Sequence, residues 1–136
     1  MKKTLLFILM MMALAMPCSA KEVWLGSDAN IGWFAFDDTI RDMGGNKLRM
    51  WHKAVFDDAY AARLVAKGKF PPGTKYYVQL AEYDTKRETV SEMTIICYDR
   101  NGNMILKGNP LPTPQYIPHF TWWYKLMMFA QEHKHK

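Results

Sequence analysis

The chain has 136 residues and a formal net charge of +5, from 18 Lys and Arg against 13 Asp and Glu. This length fits a single domain of ordinary size. The charge is mild and the basic residues do not form the dense cluster that nucleic-acid binding normally requires, so composition speaks against a nucleic-acid partner. All five Trp residues follow residue 20, and they give a small domain enough apolar surface to build a core.

The first twenty residues predict a secretory signal peptide. Lys2 and Lys3 precede an uncharged apolar run over 5–15, and small residues end the segment at Ala20. This order of positive, apolar and small residues is typical of a segment that is removed on export. The run is shorter than the roughly 20 residues of a spanning helix. An uncleaved anchor and a lipoprotein modified at Cys18 stay open as alternatives.

After removal of residues 1–20, the remaining sequence predicts one mature domain over 21–132, followed by a disordered basic tail over 133–136. The mature protein is then expected in the periplasm or at the cell surface. Cys97 is the only cysteine after residue 20, so an intramolecular disulfide is excluded. Because Cys97 follows an apolar, strand-like stretch, we expect a buried thiol, with a reactive thiol or an intermolecular bridge as alternatives.

The mature part predicts six β-strands. They are Val23–Leu25, Ile31–Phe36, Lys47–Phe56, Lys75–Asp84, Glu88–Tyr98 and Asn103–Lys107. In the third of these strands, alternation places two sets of side chains on opposite faces. One set is Leu48, Met50, His52, Ala54 and Phe56, and the other is Arg49, Trp51, Lys53 and Val55.

Turn residues separate these strands. Met43-Gly44-Gly45-Asn46 has the composition of a hairpin turn, and Thr85-Lys86-Arg87 predicts another. Asp99-Arg100-Asn101-Gly102 predicts a two-residue hairpin turn, because Asn-Gly stands between two β-prone runs. The segment 109–118 carries four prolines, so we expect an extended crossing segment outside the sheet.

Two helices complete the prediction. A short helix over 57–67 is capped by Asp57 or Asp58 and ends at Gly68, and a final helix is capped by Thr121 and reaches about Glu132. The predicted fold class is therefore α+β. It is an antiparallel meander sheet of about six strands, with the C-terminal helix packed on it and a short helix in the middle.

Several of these segments resemble, in the same order, the surface-adhesin protein E family of secreted bacterial domains. They are Trp24, Phe36–Ile40, Gly45-Asn46 followed by Trp51-His52-Lys53, Ala81–Asp84, Asp99–Gly102 and Ile117-Pro118. The resemblance covers nearly the whole mature chain. It implies a sheet-plus-helix fold, a surface or periplasmic location and binding to host matrix proteins.

This chain departs from the family pattern at two cysteines. Many members carry one cysteine just after the acidic strand that corresponds to Ala81–Asp84, and another near the end of the helix. This sequence has Thr85 and Phe129-Ala130 at those places. The absence of both is consistent with a lost bridge. No motif for a specific partner is present, so adhesion is not transferred to particular residues.

The final helix carries the candidate contact surface. Between Phe120 and Phe129 only Thr121 and Lys125 are polar, whereas a helix on a sheet needs only one apolar stripe. We predict that this helix contacts a protein partner or a second copy of the chain, and contact with a lipid surface stays open. The candidate residues are Trp122, Trp123, Met127 and Met128. Cover by another part of the same chain is the alternative.

No catalytic, cofactor-binding or metal site is predicted. The adjacent aspartates Asp37-Asp38 and Asp57-Asp58 are interpreted as caps, and His52 and His119 as structural residues. The function that follows is a non-catalytic extracytoplasmic interaction domain, adhesin-like by resemblance. The alternatives are a small periplasmic enzyme or enzyme inhibitor, and a membrane-associated structural protein. A weak contact of the basic tail with an anionic membrane surface also stays open.

Overall fold

A computed structural model describes residues 21–134. The predicted signal peptide and the last two residues of the predicted tail lie outside the described residues. The strands are β1 Glu22–Ser27, β2 Ile31–Phe36, β3 Arg41–Gly44, β4 Lys47–Phe56, β5 Tyr76–Asp84, β6 Thr89–Tyr98, β7 Met104–Gly108 and β8 Leu111–Tyr116. The helices are α1 Asp58–Ala66 and α2 Trp122–His133, and a 3-10 turn covers Asp37–Thr39.

The eight strands of the described part form one antiparallel sheet. Its order is β1-β2-β4-β5-β6-β7, while β3 pairs with β4 and β8 pairs with β6. The long strands β4, β5 and β6 therefore form the centre. Strands β2 and β3 follow one another along the outer side of β4, β7 and β8 follow one another along the outer side of β6, and β1 lies beyond β2. The predicted α+β class is confirmed, with two more strands than the six expected.

Both helices pack on the same face of the sheet. Along β4 the buried residues alternate with half-buried ones, and the five buried residues are Leu48, Met50, His52, Ala54 and Phe56, as predicted. One end of this face packs against α2, through a cluster that includes Tyr83, Ile117 and Leu126. The other end packs against α1, through a cluster that includes Tyr77, Cys97 and Ala61. Cys97 is 2% exposed, which confirms the expected buried thiol.

The proline-rich segment corrects one prediction, because 111–116 forms strand β8 instead of a crossing segment outside the sheet. Ile117 donates its backbone N–H to the Glu88 carbonyl at 2.8 Å. Alternation from Ile117 turns the nitrogen of Pro114 away from β6, so the missing N–H costs the sheet no hydrogen bond. Prolines are excluded from central strands, but an edge strand of this kind accepts them.

The two glycine-containing hairpins have different turns. Between β3 and β4, Gly45 and Asn46 both have positive φ (61° and 65°), which is the type I′ geometry of a two-residue loop. Between β6 and β7 the expected two-residue turn is wrong, because the loop has three residues. Gly102, with φ 80°, donates to the Asp99 carbonyl at 3.1 Å, and the Asp99 N–H closes the loop on the Asn103 carbonyl at 3.0 Å.

The helix ends follow their sequence signals. Asp57 caps α1 by accepting the Tyr60 N–H at 2.7 Å. Gly68 ends the helix at φ 70°, with a bond from the Lys69 N–H to the Leu64 carbonyl at 2.9 Å. Helix α2 begins after Thr121 as predicted, but it extends through His133, a residue expected in the disordered tail, whose ring stacks on Phe129.

Candidate binding surface

Helix α2 uses much of the predicted contact surface for the core. Met127 is only 2% exposed, so its side chain offers almost no surface to a partner. Trp122 stacks on Trp33 of β2 with ring centroids 5.5 Å apart, and Trp123 contacts the ring of His52 edge-on at 5.2 Å. Trp122, Trp123 and Met128 are half-buried. Packing against other parts of the same chain thus largely explains why α2 is apolar on most of its sides.

The uncovered surface of the protein is the sheet face opposite the two helices. Directly paired strand residues share a face, and Lys53 of β4 pairs with Phe34 of β2 and with Val78 of β5. The buried side chains Phe36, Val78 and Ile96 on this side form a cluster with the half-buried strand residues Trp51 and Tyr98. We call this surface the open face; its half-buried side chains include Phe34, Trp51, Lys53, Tyr76, Leu80 and Tyr98.

One half of the open face is aromatic. Tyr76 and Tyr98 stack with centroids 5.0 Å apart, and Trp24 contacts Phe34 edge-on at 5.0 Å. Lys53 lies between these pairs, with its Nζ 5.2 Å from the Phe34 ring centroid and 5.0 Å from that of Tyr76. These rings form a continuous apolar platform on a sheet face where solvent-facing polar residues are the rule.

Ion pairs hold the charged residues of the open face in place. Lys53 donates to Glu22 at 2.7 Å, and Arg49 donates to Glu82 at 2.8 Å. Burial, followed by the negative neighbours around it, raises the pKa of the Tyr76 hydroxyl, so this group is a neutral donor at physiological pH. The face therefore presents neutral aromatic rings together with paired charges.

The other half of the open face contains a cleft of about 400 Å³. Its lining combines the apolar side chains of Met43, Trp51 and Leu80 with four polar residues, Asp38, Thr39, Arg41 and Arg49. The Arg41 guanidinium donates to the carbonyls of Asp38 (3.1 Å) and Ile40 (2.9 Å), and it has no carboxylate partner among residues 21–134. The cleft thus combines an apolar wall with a cation that keeps unused donors.

The 3-10 turn shapes this cleft. The Thr39 hydroxyl accepts the Trp51 N–H at 3.0 Å and donates to the Phe36 carbonyl at 2.7 Å. Thr39 is itself buried, so the turn is fixed against β4 and directs the chain into β3. Arg41 and Met43 are consequently placed beside Trp51.

The titrating groups with shifted pKa values lie away from the cleft. His52, Tyr77 and Tyr83 are buried under the helices, where loss of solvation shifts each pKa toward the neutral form. On the surface, hydrogen bonding and charge from Lys75, with Arg100 adding to it, lower the pKa of Asp58. These shifts accompany packing and turn formation.

Two further properties concern the described residues. Between residues 21 and 134, no three His, Cys, Asp or Glu side chains are grouped closely enough to hold a metal ion. Neither helix in that range is long and apolar enough to cross a membrane. His119, interpreted from the sequence as structural, stacks on Tyr124 and pairs with Glu88.

The architecture defines a class of protein: an antiparallel sheet of the α+β class with one face covered by helices and the other left open. No protein-family model matches the chain, and no curated protein or solved structure matches it. The sequence predicted Trp51 and Lys53 together on one face of the third strand, but it did not predict that this face lies opposite both helices. The aromatic residues spread over the predicted strands were the only available signal.

Proposed function

We propose that the protein is a non-catalytic extracytoplasmic binding domain, and that the cleft of the open face binds a protein segment with a carboxylate next to an apolar side chain. The observation that carries this proposal is Arg41, a cation without a carboxylate partner in the described part, beside the apolar wall of Met43, Trp51 and Leu80. A guanidinium forms strong, geometrically specific bonds with a carboxylate. The partner's apolar side chain would fill the cleft, and its acid would bind Arg41.

The open face supports this interpretation independently of the cleft. Large exposed apolar surfaces are uncommon on isolated domains and often mark interaction sites. Aromatic residues and Arg are enriched at protein interfaces, and the open face combines both types. Its ordered ion pairs, Lys53–Glu22 between the aromatic pairs and Arg49–Glu82 at the cleft, would supply fixed polar contacts within such an interface.

The location belongs to the same proposal and rests on the sequence. The order of residues in 1–20 is that of a removable signal, which supports export to the periplasm or cell surface. The resemblance to surface-adhesin protein E domains supports a binding role in that compartment. Membership of that family and binding of host matrix proteins are part of the proposal.

A peptide selection tests the partner chemistry. The processed protein is immobilised and used to select binders from a library of random twelve-residue peptides. We expect enrichment of peptides in which Asp or Glu is next to Leu, Phe or Trp. Enrichment without acidic residues, or no enrichment at all, would contradict the proposal.

Charge variants then locate the site. Arg41→Glu is expected to weaken the selected peptides at least tenfold. Arg41→Lys should weaken them less, because the ammonium keeps the charge but loses the planar pair of donors. Arg87→Glu is the matched control, because Arg87 is exposed on the hairpin that follows β5 and does not line the cleft. Equal losses for Arg41→Glu and Arg87→Glu would show a general charge effect and reject the assigned site.

A further inference from the structure

The exposed apolar side chains of the protein are concentrated along one edge of the sheet. Seven large hydrophobic residues of the described part are exposed, and five of them lie between residues 104 and 120. On β7, Met104 is 63% exposed, Ile105 37% and Leu106 51%. This edge lies on the far side of the sheet from β1.

Strand β7 is also the edge with the least protection against pairing. Its inner side pairs with β6, and in the described part no strand pairs with its outer side. The neighbouring β8 has Pro112 and Pro114, which cannot donate to an added strand. β3 is short and begins with the charged residues Arg41 and Asp42, and β1 is interrupted by a bulge between Trp24 and Gly26. β7 contains neither proline nor acid, and its only charge is Lys107.

We propose that β7 pairs with β7 of a second copy of this chain, antiparallel and about a two-fold axis near Leu106. The row of outward backbone N–H and C=O groups specifies the occupant as an extended strand. An antiparallel arrangement of two identical strands satisfies the same groups on both copies, so the contact is isologous and closes at two chains.

The charges of the edge favour a second copy. Lys107 is the only Asp, Glu, Lys or Arg in the segment 103–121, whereas these residue types make up 23% of the chain. A two-fold axis near Leu106 places Lys107 opposite Ile105 of the partner copy, so the two ammonium groups are not directly paired. An oppositely charged partner would gain little from an edge with one cation.

The size of the contact predicts its strength. A five-residue strand is about 17 Å long, and two paired strands bury their facing edges together with Met104 and Leu106. This area is below the roughly 800 Å² per partner of a standard stable interface. We therefore expect a reversible dimer with a Kd on the order of 10–100 μM. Two paired copies would join their open faces into one continuous surface.

Sedimentation velocity from low micromolar to millimolar protein tests the proposal. The processed protein is expected to shift from monomer to dimer with rising concentration. Met104→Lys and Leu106→Lys should each raise the Kd at least tenfold. Met43→Lys is the matched control, since Met43 is 48% exposed on β3 and the same charge is added there. Its Kd should stay within twofold of the parent value.

Amide hydrogen exchange provides the second readout, because it reports which strand pairs. Amides of β7 should become protected as concentration rises, while those of β1 should not. A protein that stays monomeric to millimolar concentration would overturn the proposal, and so would an equal effect of Met43→Lys or protection confined to another strand. Arg41→Glu is expected to dimerise like the parent protein. Failure of the dimer proposal and failure of the proposed cleft site can therefore be distinguished.

Discussion

His52 shows how the core of this protein accommodates a polar residue. Its ring is fully buried, with Trp33, Tyr77 and Trp123 as its aromatic neighbours. Neither ring nitrogen has a hydrogen-bond partner among the described residues. Burial lowers the pKa of His52 to about 3, so the ring is neutral in the folded protein. The nearest polar pair, Gln79 bonded to Glu92, is satisfied by itself.

Replacement of His52 by Phe should remove part of the acid sensitivity of the fold. In the unfolded chain His52 takes up a proton below pH 6.5, while in the folded chain it stays neutral down to about pH 3. Protonation therefore favours the unfolded state, and stability falls as the pH decreases through this window. Between pH 7 and pH 4.5 the parent protein should lose about 2–3 kcal/mol more than His52→Phe. Urea unfolding at the two pH values measures the difference; parallel losses would contradict the prediction.

Gly45 is a second residue whose role can be isolated. Its φ of 61° is required by the type I′ turn, and a Cβ built there meets nothing within 4 Å. Gly45→Ala should therefore cost about 1–2 kcal/mol through backbone conformation alone. Gly108→Ala is the control, because a Cβ there also meets open space and no positive φ is involved. Thermal unfolding at low micromolar concentration compares them, and equal stabilities of the two variants would reject the explanation.

Among the elements, α2 covers the sheet with two groups of residues, which its sequence alone did not distinguish. Leu126, Met127, Phe129 and Ala130 are buried against the sheet. The two tryptophans at its start extend over β2 and β4. The Nζ of Lys125 lies over the Trp122 ring, 4.2 Å from its centroid. The helix therefore functions mainly as the cover of one sheet face.

Truncation of Trp123 tests this role of α2. Trp123→Ala should lower the free energy of unfolding by about 2–4 kcal/mol, because the indole packs on His52 and Tyr83. Phe120→Ala is the control, since Phe120 is 91% exposed just before the helix and should change stability by less than about 0.5 kcal/mol. Urea denaturation measures both. If Trp123→Ala is as stable as the parent, the helix is a contact surface, as the sequence first indicated.

At the scale of the whole molecule, Lys21 stands where the predicted signal peptide ends and the described fold begins. Its backbone nitrogen lies 3.3 Å from Oδ1 of Asp38, one residue before β1. Cleavage after Ala20 would convert this nitrogen into an ammonium group beside a carboxylate. We expect the intact mass of the exported protein to correspond to residues 21–136. A mass that includes residues 1–20 would contradict cleavage and favour the anchor.

The same contact gives a prediction for stability. In the processed protein Asp38→Asn should lower stability slightly, by up to about 1 kcal/mol, because both groups are exposed and the pair is screened by water. The effect should shrink in high salt. Acetylation of the new amino terminus should abolish the difference in thermal unfolding between the parent protein and Asp38→Asn; a difference that persists would assign the effect of Asp38 to another contact.

Local signals in the sequence were sufficient for much of the fold. Alternation along β4 identified its buried face, because side chains of a strand point to opposite sides whatever the neighbours are. Asp57, Gly68 and Thr121 marked helix ends, since capping depends on bonds within a few residues. The Gly45-Asn46 turn followed from backbone sterics in the same way.

Only the tertiary structure decided which surfaces are covered. Residues 111–116 form a strand because they pair with the edge of β6, where the nitrogen of Pro114 points outward. That pairing partner is distant along the chain, so no local pattern predicts it. The burial of Trp123 and Met127 depends on where α2 lies. The exposure of the open face depends on both helices packing on the opposite side of the sheet. The sequence by itself determined most of the strands, turns and helix ends, because those are short-range properties; strand β8, the cover, the edges and the surroundings of Arg41 arise from contacts between residues distant along the chain.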